Sequence, residues 1–149
     1  MAHFTLSIGS TGPILNAFVG VSEQRRQALQ DAGLPVPPPV NVRALVDTGA
    51  SCTCVDPSVL IALSLTPTGS VLIHTPSSGA TPVIMEQYDA SLLIPGADPT
   101  HFPLILRTIP VVSAELLATQ GFEVLIGRDI LQGCVLVYNG TMGFFTLAF

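Results

Sequence analysis

Thirteen prolines and thirteen glycines fall at short intervals along the 149 residues and leave little room for long helices. Between them lie short runs rich in Val, Ile, Leu, Thr and Phe, which is the pattern of a mostly-β chain. "HFTLSI" and "PILNAFVGV" read as two strands joined in a hairpin across "GSTG", and "VRALV" reads as a later strand. "SEQRRQALQDAG" is the best helix, with Ser22 to cap its start and Gly33 to close its end. "LPVPPPV" follows as an extended, polyproline-like connection, because proline has no N–H to give a sheet ladder. Residues 22–39 thus read as a helix plus proline-rich insertion between the first hairpin and "VRALV".

Further along, "DPSVLIAL" places an acid before proline and an apolar run, an opening in which Asp56 caps a short helix and Pro57 takes its first position. "SVLIHT" and "TPVIMEQYDASLLI" flank the turn-rich "PSSGA", which makes residues 71–88 a β-hairpin with a small, polar tip. "PGADPTHFP" is loop, "LILRTIPVV" strand and "SAELLATQG" a short helix. "FEVLIGRDILQG" is an apolar strand ending at Gly127 and passing into a helical turn, and "CVLVYNGTMGFFTLAF" is a closing hairpin. With no repeat and no low-complexity tract, the expectation is one all-β domain over residues 1–149, with a few short helices.

Composition excludes several classes of function. Nearly half the residues are apolar, a tenth are charged, and neither lysine nor tryptophan occurs. So weakly charged a surface implies that another subunit covers part of it. A net charge of −5 with five scattered arginines gives no footprint for nucleic acid or an anionic membrane. No stretch is long and apolar enough to span a bilayer, and "MAHFTLSIGS" has no signal-peptide pattern. Cys52, Cys54 and Cys134 read as reduced, mostly buried thiols, which implies a cytoplasmic location. "CTC" has no accompanying Cys/His set at zinc spacing, so no metal or other cofactor is expected.

The chemistry narrows to one place. There is no nucleophile elbow, phosphate loop or metalloprotease helix, and His3, His74 and His101 stand in no triad context. "LVDTGAS", residues 45–51, delivers an aspartate from an apolar strand to a loop of small residues, and does so only once. An isolated exposed carboxylate is a weak base. Two that face each other at about 4 Å repel by roughly 4 kcal/mol at an effective dielectric near 20. That separates their ionisations by on the order of three pKa units, so over a wide window the pair holds one proton. One member then activates water while the other donates to a carbonyl. Gly49 lets the backbone turn its N–H groups toward Asp47, Thr48 offers a hydroxyl to a neighbour, and Ala50 is small enough to lie beneath a substrate.

"ALVDTGAS" resembles the Asp-Thr/Ser-Gly-Ala/Ser motif of aspartic proteases. "VLIGRDIL", residues 124–131, resembles the second signature of the retroviral-type, or retropepsin-like, family, in which two apolar residues and a glycine pass beneath the catalytic loop. Ile126, Gly127, Arg128 and Asp129 fall on that signature. The order of elements also resembles the family's over most of residues 4–149. The resemblance implies a retropepsin-like half-barrel with a flap hairpin. It also implies an endopeptidase that uses neither metal nor covalent intermediate, and Asp47 as catalytic residue, with Thr48, Gly49, Ala50 and Ser51 supporting its loop. A two-lobed relative carries two such motifs in about twice the length. The single motif here implies a homodimer in which the second carboxylate is Asp47 of another copy, with Thr48 of each chain bonded across the axis.

The flap implied by the family falls on His74, Thr75, Pro76, Ser77, Ser78 and Gly79, closing over a peptide held as an added strand. His74 is a candidate substrate contact, against the commoner reading of a strand histidine with a structural partner. Asp56 reads as a helix cap, Asp129 as an acid at a helix start beside an arginine that makes structural pairs, and Asp89 as a solvent-facing strand residue. Ser51 stands where many viral members have an acid that pairs with the arginine, so the contacts of Arg128 are open. So is the question whether residues 3–8 and 144–149 interleave with a partner, as viral termini do. The alternative to a protease is a catalytically silent module of the same fold that binds peptides or dimerises.

Overall fold

From Tyr88 to Ile94 every second residue of one long strand is buried, while the five residues before Tyr88 are exposed or only partly buried. This strand, Val83–Ile94 (β6), therefore belongs to two structures at once, and the rest of the chain is arranged around it. The computed structural model describes residues 1–75 and 78–149. In chain order the elements are β1 (His3–Ser7), β2 (Ile14–Val21), α1 (Glu23–Asp31), β3 (Val40–Val46), β4 (Cys54–Val55), α2 (Pro57–Ala62) and β5 (Gly69–Ile73). After β6 come β7 (Leu104–Ser113), α3 (Leu117–Gln120), β8 (Val124–Ile126), α4 (Arg128–Leu131), β9 (Val135–Asn139) and β10 (Phe144–Ala148).

The larger sheet runs β2-β3-β8-β4-β7-β6-β5, and β2 also pairs with β6. That extra pairing, Phe18↔Leu93 through Val21↔Ala90, closes six strands into a ring and leaves β5 attached outside it. Inside lie Leu15, Ala17, Val19, Val42, Ala44, Val124 and Ile126, every one of them 2% exposed or less. Alternation along half-buried strands puts these side chains on one face, and the burial of that face holds the ring together. The other half of β6 forms an antiparallel hairpin with β5, from Gly69↔Gln87 to Ile73↔Val83. The pairing joins residues 69–73 to 83–87, within the stretch where the sequence suggested a hairpin over 71–88.

A smaller sheet, β1-β10-β9, lies beside the ring. Here the sequence reading is corrected. Gly9 and Gly12 do exchange two backbone bonds, of 3.2 and 3.1 Å, and make a tight turn. The strands on either side of it part company, however: β1 pairs with β10, and β2 pairs with β3 and β6. Side-chain shape decides this. Phe4 packs edge-on against Phe145 at 6.5 Å and against Phe149 at 6.0 Å, a cluster available only at the far end of the chain.

The helices follow their caps. The Ser22 hydroxyl accepts from Arg25 N at 3.3 Å, and Gly33 has φ +67°, the left-handed conformation that ends α1. α1 buries no residue, and Glu23 and Arg26 pair along its surface. Residues 34–39 then run extended, as expected of the proline-rich stretch. Asp56 caps α2 through Ser58 N at 3.0 Å and also accepts from Leu116 N at 2.9 Å and Leu117 N at 2.8 Å, tying α2 to α3. Burial pushes the Asp56 carboxyl up, but the Ser58 hydroxyl and the three backbone N–H groups outweigh it and lower it to about 2.

A depressed carboxyl stabilises the fold above its ordinary pKa of 3.8, and that stability is lost as pH falls through about 2. Asp56→Asn is therefore expected to cost roughly 2 kcal/mol at neutral pH and to reduce the acid-induced loss of stability. Urea unfolding of both proteins at neutral pH and at about pH 2 checks this.

Candidate active site

β3 is buried on alternate residues up to Val46 and ends there, so the next residue, Asp47, emerges at the rim of the ring, partly buried. Its N–H donates to the Ile126 carbonyl at 3.0 Å. The loop then turns back on the carboxylate, with Gly49 N–H donating to Asp47 Oδ1 at 2.8 Å. A Cβ on Gly49 would sit 3.1 Å from that oxygen, tighter than an ordinary contact, so glycine suits the close approach. Thr48, Gly49 and Ser51 are exposed, and Ala50 is partly buried.

Beneath this loop the chain crosses itself. β8 is inserted between β3, to which it runs parallel, and β4, to which it runs antiparallel. At its end Gly127 passes so near the loop that a Cβ would lie 2.5 Å from both the carbonyl carbon and the oxygen of Cys52. Its φ of −89° is open to any residue, so space alone demands glycine. Arg128 N–H donates to the Ala50 carbonyl at 3.0 Å. Ile126, Gly127 and Arg128 thus lie against the Asp47 loop, and Asp129 against the segment that follows it.

The crossing is fastened by Thr53, which the sequence reading passed over. It is fully buried. Its hydroxyl donates to Asp129 Oδ1 at 2.9 Å and accepts from Gly127 N–H at 3.1 Å, while its own N–H donates to Asp129 Oδ2 at 3.0 Å. The signal available in advance was a single threonine in the middle of "SCTCV". Asp129 is the structural residue of its pair. Arg128 is exposed and, contrary to expectation, makes no side-chain pair among the described residues. With serine at position 51 there is no acid there to hold it. Asp89 is partly buried rather than solvent-facing, opposite Pro110 on β7.

Beside the loop lies a cavity of about 290 Å³. Ser51, Cys52 and Asp129 form one wall, Val71, Leu72 and Ile73 of β5 another, and Gln87, Pro110 and Val112 complete it. At the hairpin tip Thr75 and Ser78 interlock, with Thr75 N–H to Ser78 Oγ at 3.0 Å and Ser78 Oγ to the Thr75 carbonyl at 3.0 Å. Gly79 has φ +58°, a conformation that favours glycine. His74 is exposed and has no side-chain partner among the described residues, so it is not held structurally. Pro76 and Ser77, also assigned to the tip, lie outside the described residues. All three cysteines are free and partly buried. Burial first, and Cys52 second, push the Cys54 thiol up to about 12, which makes it inert as a nucleophile. No group of three or more His, Cys, Asp or Glu side chains converges among the described residues in a way that would hold a metal.

No model of a known protein family matches the sequence. No curated protein matches it at a significant level. Among solved structures, one described as a retropepsin-like aspartic protease from Rickettsia conorii aligns with 99% of this chain and 91% of its own. The TM-score is 0.56 and the sequence identity 16%. The fold is retropepsin-like. At that identity the likeness concerns architecture: a mostly-β chain with few short helices and a barrel-like sheet. No helix among the described residues is long and apolar enough to cross a membrane.

Two substitutions test the crossing. Gly127→Ala forces a methyl group into the Cys52 backbone and is expected to destabilise by about 3 kcal/mol or more. Thr53→Val keeps the volume but leaves Gly127 N–H unpartnered, an expected loss of roughly 1–3 kcal/mol. Denaturant unfolding of each, against Thr53→Ser as the conservative control, checks both values.

Proposed function

We propose that the protein is an aspartic endopeptidase in which Asp47 and the partner subunit's Asp47 share one proton and activate a water molecule. One observation carries the reading. The carboxylate that directly follows β3 into the exposed small-residue loop is held by a backbone N–H of that loop, Gly49 to Asp47 Oδ1 at 2.8 Å. Peptide binding alone needs no acid at the end of this strand. A single carboxylate is half of the needed pair, and a twofold axis beside Thr48 supplies the other half. The exposed Thr48 hydroxyls then bond across that axis.

In this mechanism the ionised member of the pair takes a proton from the water as it attacks the peptide carbonyl, and the protonated member donates to the carbonyl oxygen. The tetrahedral intermediate collapses with proton transfer to the leaving amine. The hairpin 71–88 acts as a flap, pairing with an extended peptide and excluding water. The cavity walled by Val71, Ile73 and Val112 supports a preference for apolar side chains next to the cleaved bond. Three free thiols support a reducing, cytoplasmic setting.

Cleavage of a peptide library at several protein concentrations tests this. Activity per chain is expected to rise with concentration, to be bell-shaped in pH, and to fall at least about a hundredfold in Asp47→Asn. Equal cleavage by the variant, or none by a demonstrably dimeric wild type, would favour the silent binding module.

A further inference from the structure

"CTC", residues 52–54, takes no part in the proposed mechanism, yet it lies at the joint between the Asp47 loop and the ring. Cys54 opens β4, and the pairing of β4 with β7 runs back one residue to Thr53, whose carbonyl accepts from Val112 N–H at 3.0 Å. Residues that flank one residue of a strand point to the same face, with Cα atoms about 6.6 Å apart. The Cys54 thiol accordingly turns back and donates to the Cys52 carbonyl at 3.9 Å. The Cys52 side chain also acts on that thiol, by charge and by hydrogen bonding. Access separates the two sulfurs: Cys52 lines the cavity of about 290 Å³ beside the loop, and Cys54 does not. Cys134 is no member of the pair, since its thiol donates to the Ile130 carbonyl at 3.8 Å.

We propose that Cys52 and Cys54 are a redox switch: hydrogen peroxide entering the cavity oxidises Cys52, Cys54 closes a disulfide with it, and the Asp47 loop loses its fastening. In the first step the Cys52 sulfur attacks one peroxide oxygen. An S–O bond forms, the O–O bond breaks, and the displaced hydroxide leaves as water with the thiol's proton. Cys52 is thereby oxidised to a sulfenic acid and the peroxide is reduced. The Cys54 sulfur then attacks the Cys52 sulfur. An S–S bond forms, the S–O bond breaks, and a second water carries off the Cys54 proton. Before oxidation Cys54 keeps its proton, because burial first and Cys52 second push it up. A neutral sulfenic acid at Cys52 removes the second influence, and the attack is intramolecular, between groups already held together. A small dithiol reverses the sequence by exchange.

The site responds because the segment has no slack. A disulfide holds its Cβ atoms about 3.8 Å apart and its Cα atoms usually within about 6 Å, so closing it draws residues 52–54 together. Thr53, in the middle, bonds Asp129 through both its N–H and its hydroxyl and takes Gly127 N–H on the same hydroxyl. On the other side the Cys52 backbone already lies against Gly127. Shortening the segment therefore pulls on the bonds that fasten the crossing beneath Asp47. The effect on cleavage rests on the proposed aspartic chemistry, whereas the disulfide and its effect on stability do not.

Titrating the reduced full-length protein with hydrogen peroxide, then alkylating and mapping its thiols by mass spectrometry, tests the switch. The expected product is a peptide in which Cys52 and Cys54 are joined, with Cys134 still alkylated. In Cys54→Ser the oxidation is expected to stop at a Cys52 sulfenic acid that dimedone captures. The joined protein is expected to unfold at lower urea than the reduced one and to recover with dithiothreitol. Its cleavage of peptides is expected to fall at least about tenfold and to return on reduction. A Cys52 that passes to sulfinic acid without joining Cys54, or that joins Cys134 instead, overturns the proposal. So does a joined protein whose urea unfolding is unchanged, or one that cuts peptides as fast as the reduced form. A reversible join that shifts urea unfolding in a protein that cuts nothing even when reduced supports the dithiol and counts against the protease reading alone.

Discussion

The contact on which this molecule depends is a backbone crossing in which Gly127 lies against Cys52 with no room for a methyl group between them. Everything at the rim of the ring is referred to it. The crossing fixes the Asp47 loop from below, through Asp47 N–H to Ile126 and Arg128 N–H to Ala50. The buried Thr53 and the partly buried Asp129 then fasten the crossing with three hydrogen bonds. Buried polar groups left unpaired are costly, so these bonds favour one position of the loop. The catalytic carboxylate of the proposed mechanism sits on a rigid base, while the hairpin opposite it has only its root in the ring.

Much of this was legible in the sequence wherever the determinant is local. A cap and its helix are three residues apart, so Ser22 with Arg25 N and Asp56 with Ser58 N could be read directly. The strand–Asp–Thr–Gly loop and the apolar–Gly–Arg–Asp turn likewise announce their conformation within a few positions. What escaped was decided at a distance. The partner of β1 is the other end of the chain, chosen by the fit of Phe4 to Phe145 and Phe149, whereas the turn between β1 and β2 suggested a closer one. Thr53 and Asp129 are 76 positions apart, and neither advertises the other. The cavity walls come from β5, β6 and β7, whose residues look like any alternating strand until the fold faces them toward Ser51 and Cys52.

The pairing of β1 with β10 within one chain also bears on assembly. With β1 and β10 paired within one chain, the proposed dimer would join two finished sheets. Such a dimer would form by the docking of folded units.

One strand remains to be considered mechanically. β6 is held on both sides from Ala90 to Leu93, by β2 and by β7, with a register shift against β7 between Ala90 and Leu92. Its first four residues, Val83 to Glu86, pair with β5 alone, and Gln87 pairs with both β5 and Val112 of β7. The hairpin is therefore a lever clamped at one end. A pull at its free end would bend the strand ahead of Gln87 and stop at the clamp, so the closed ring that carries Asp47 would be insulated from it.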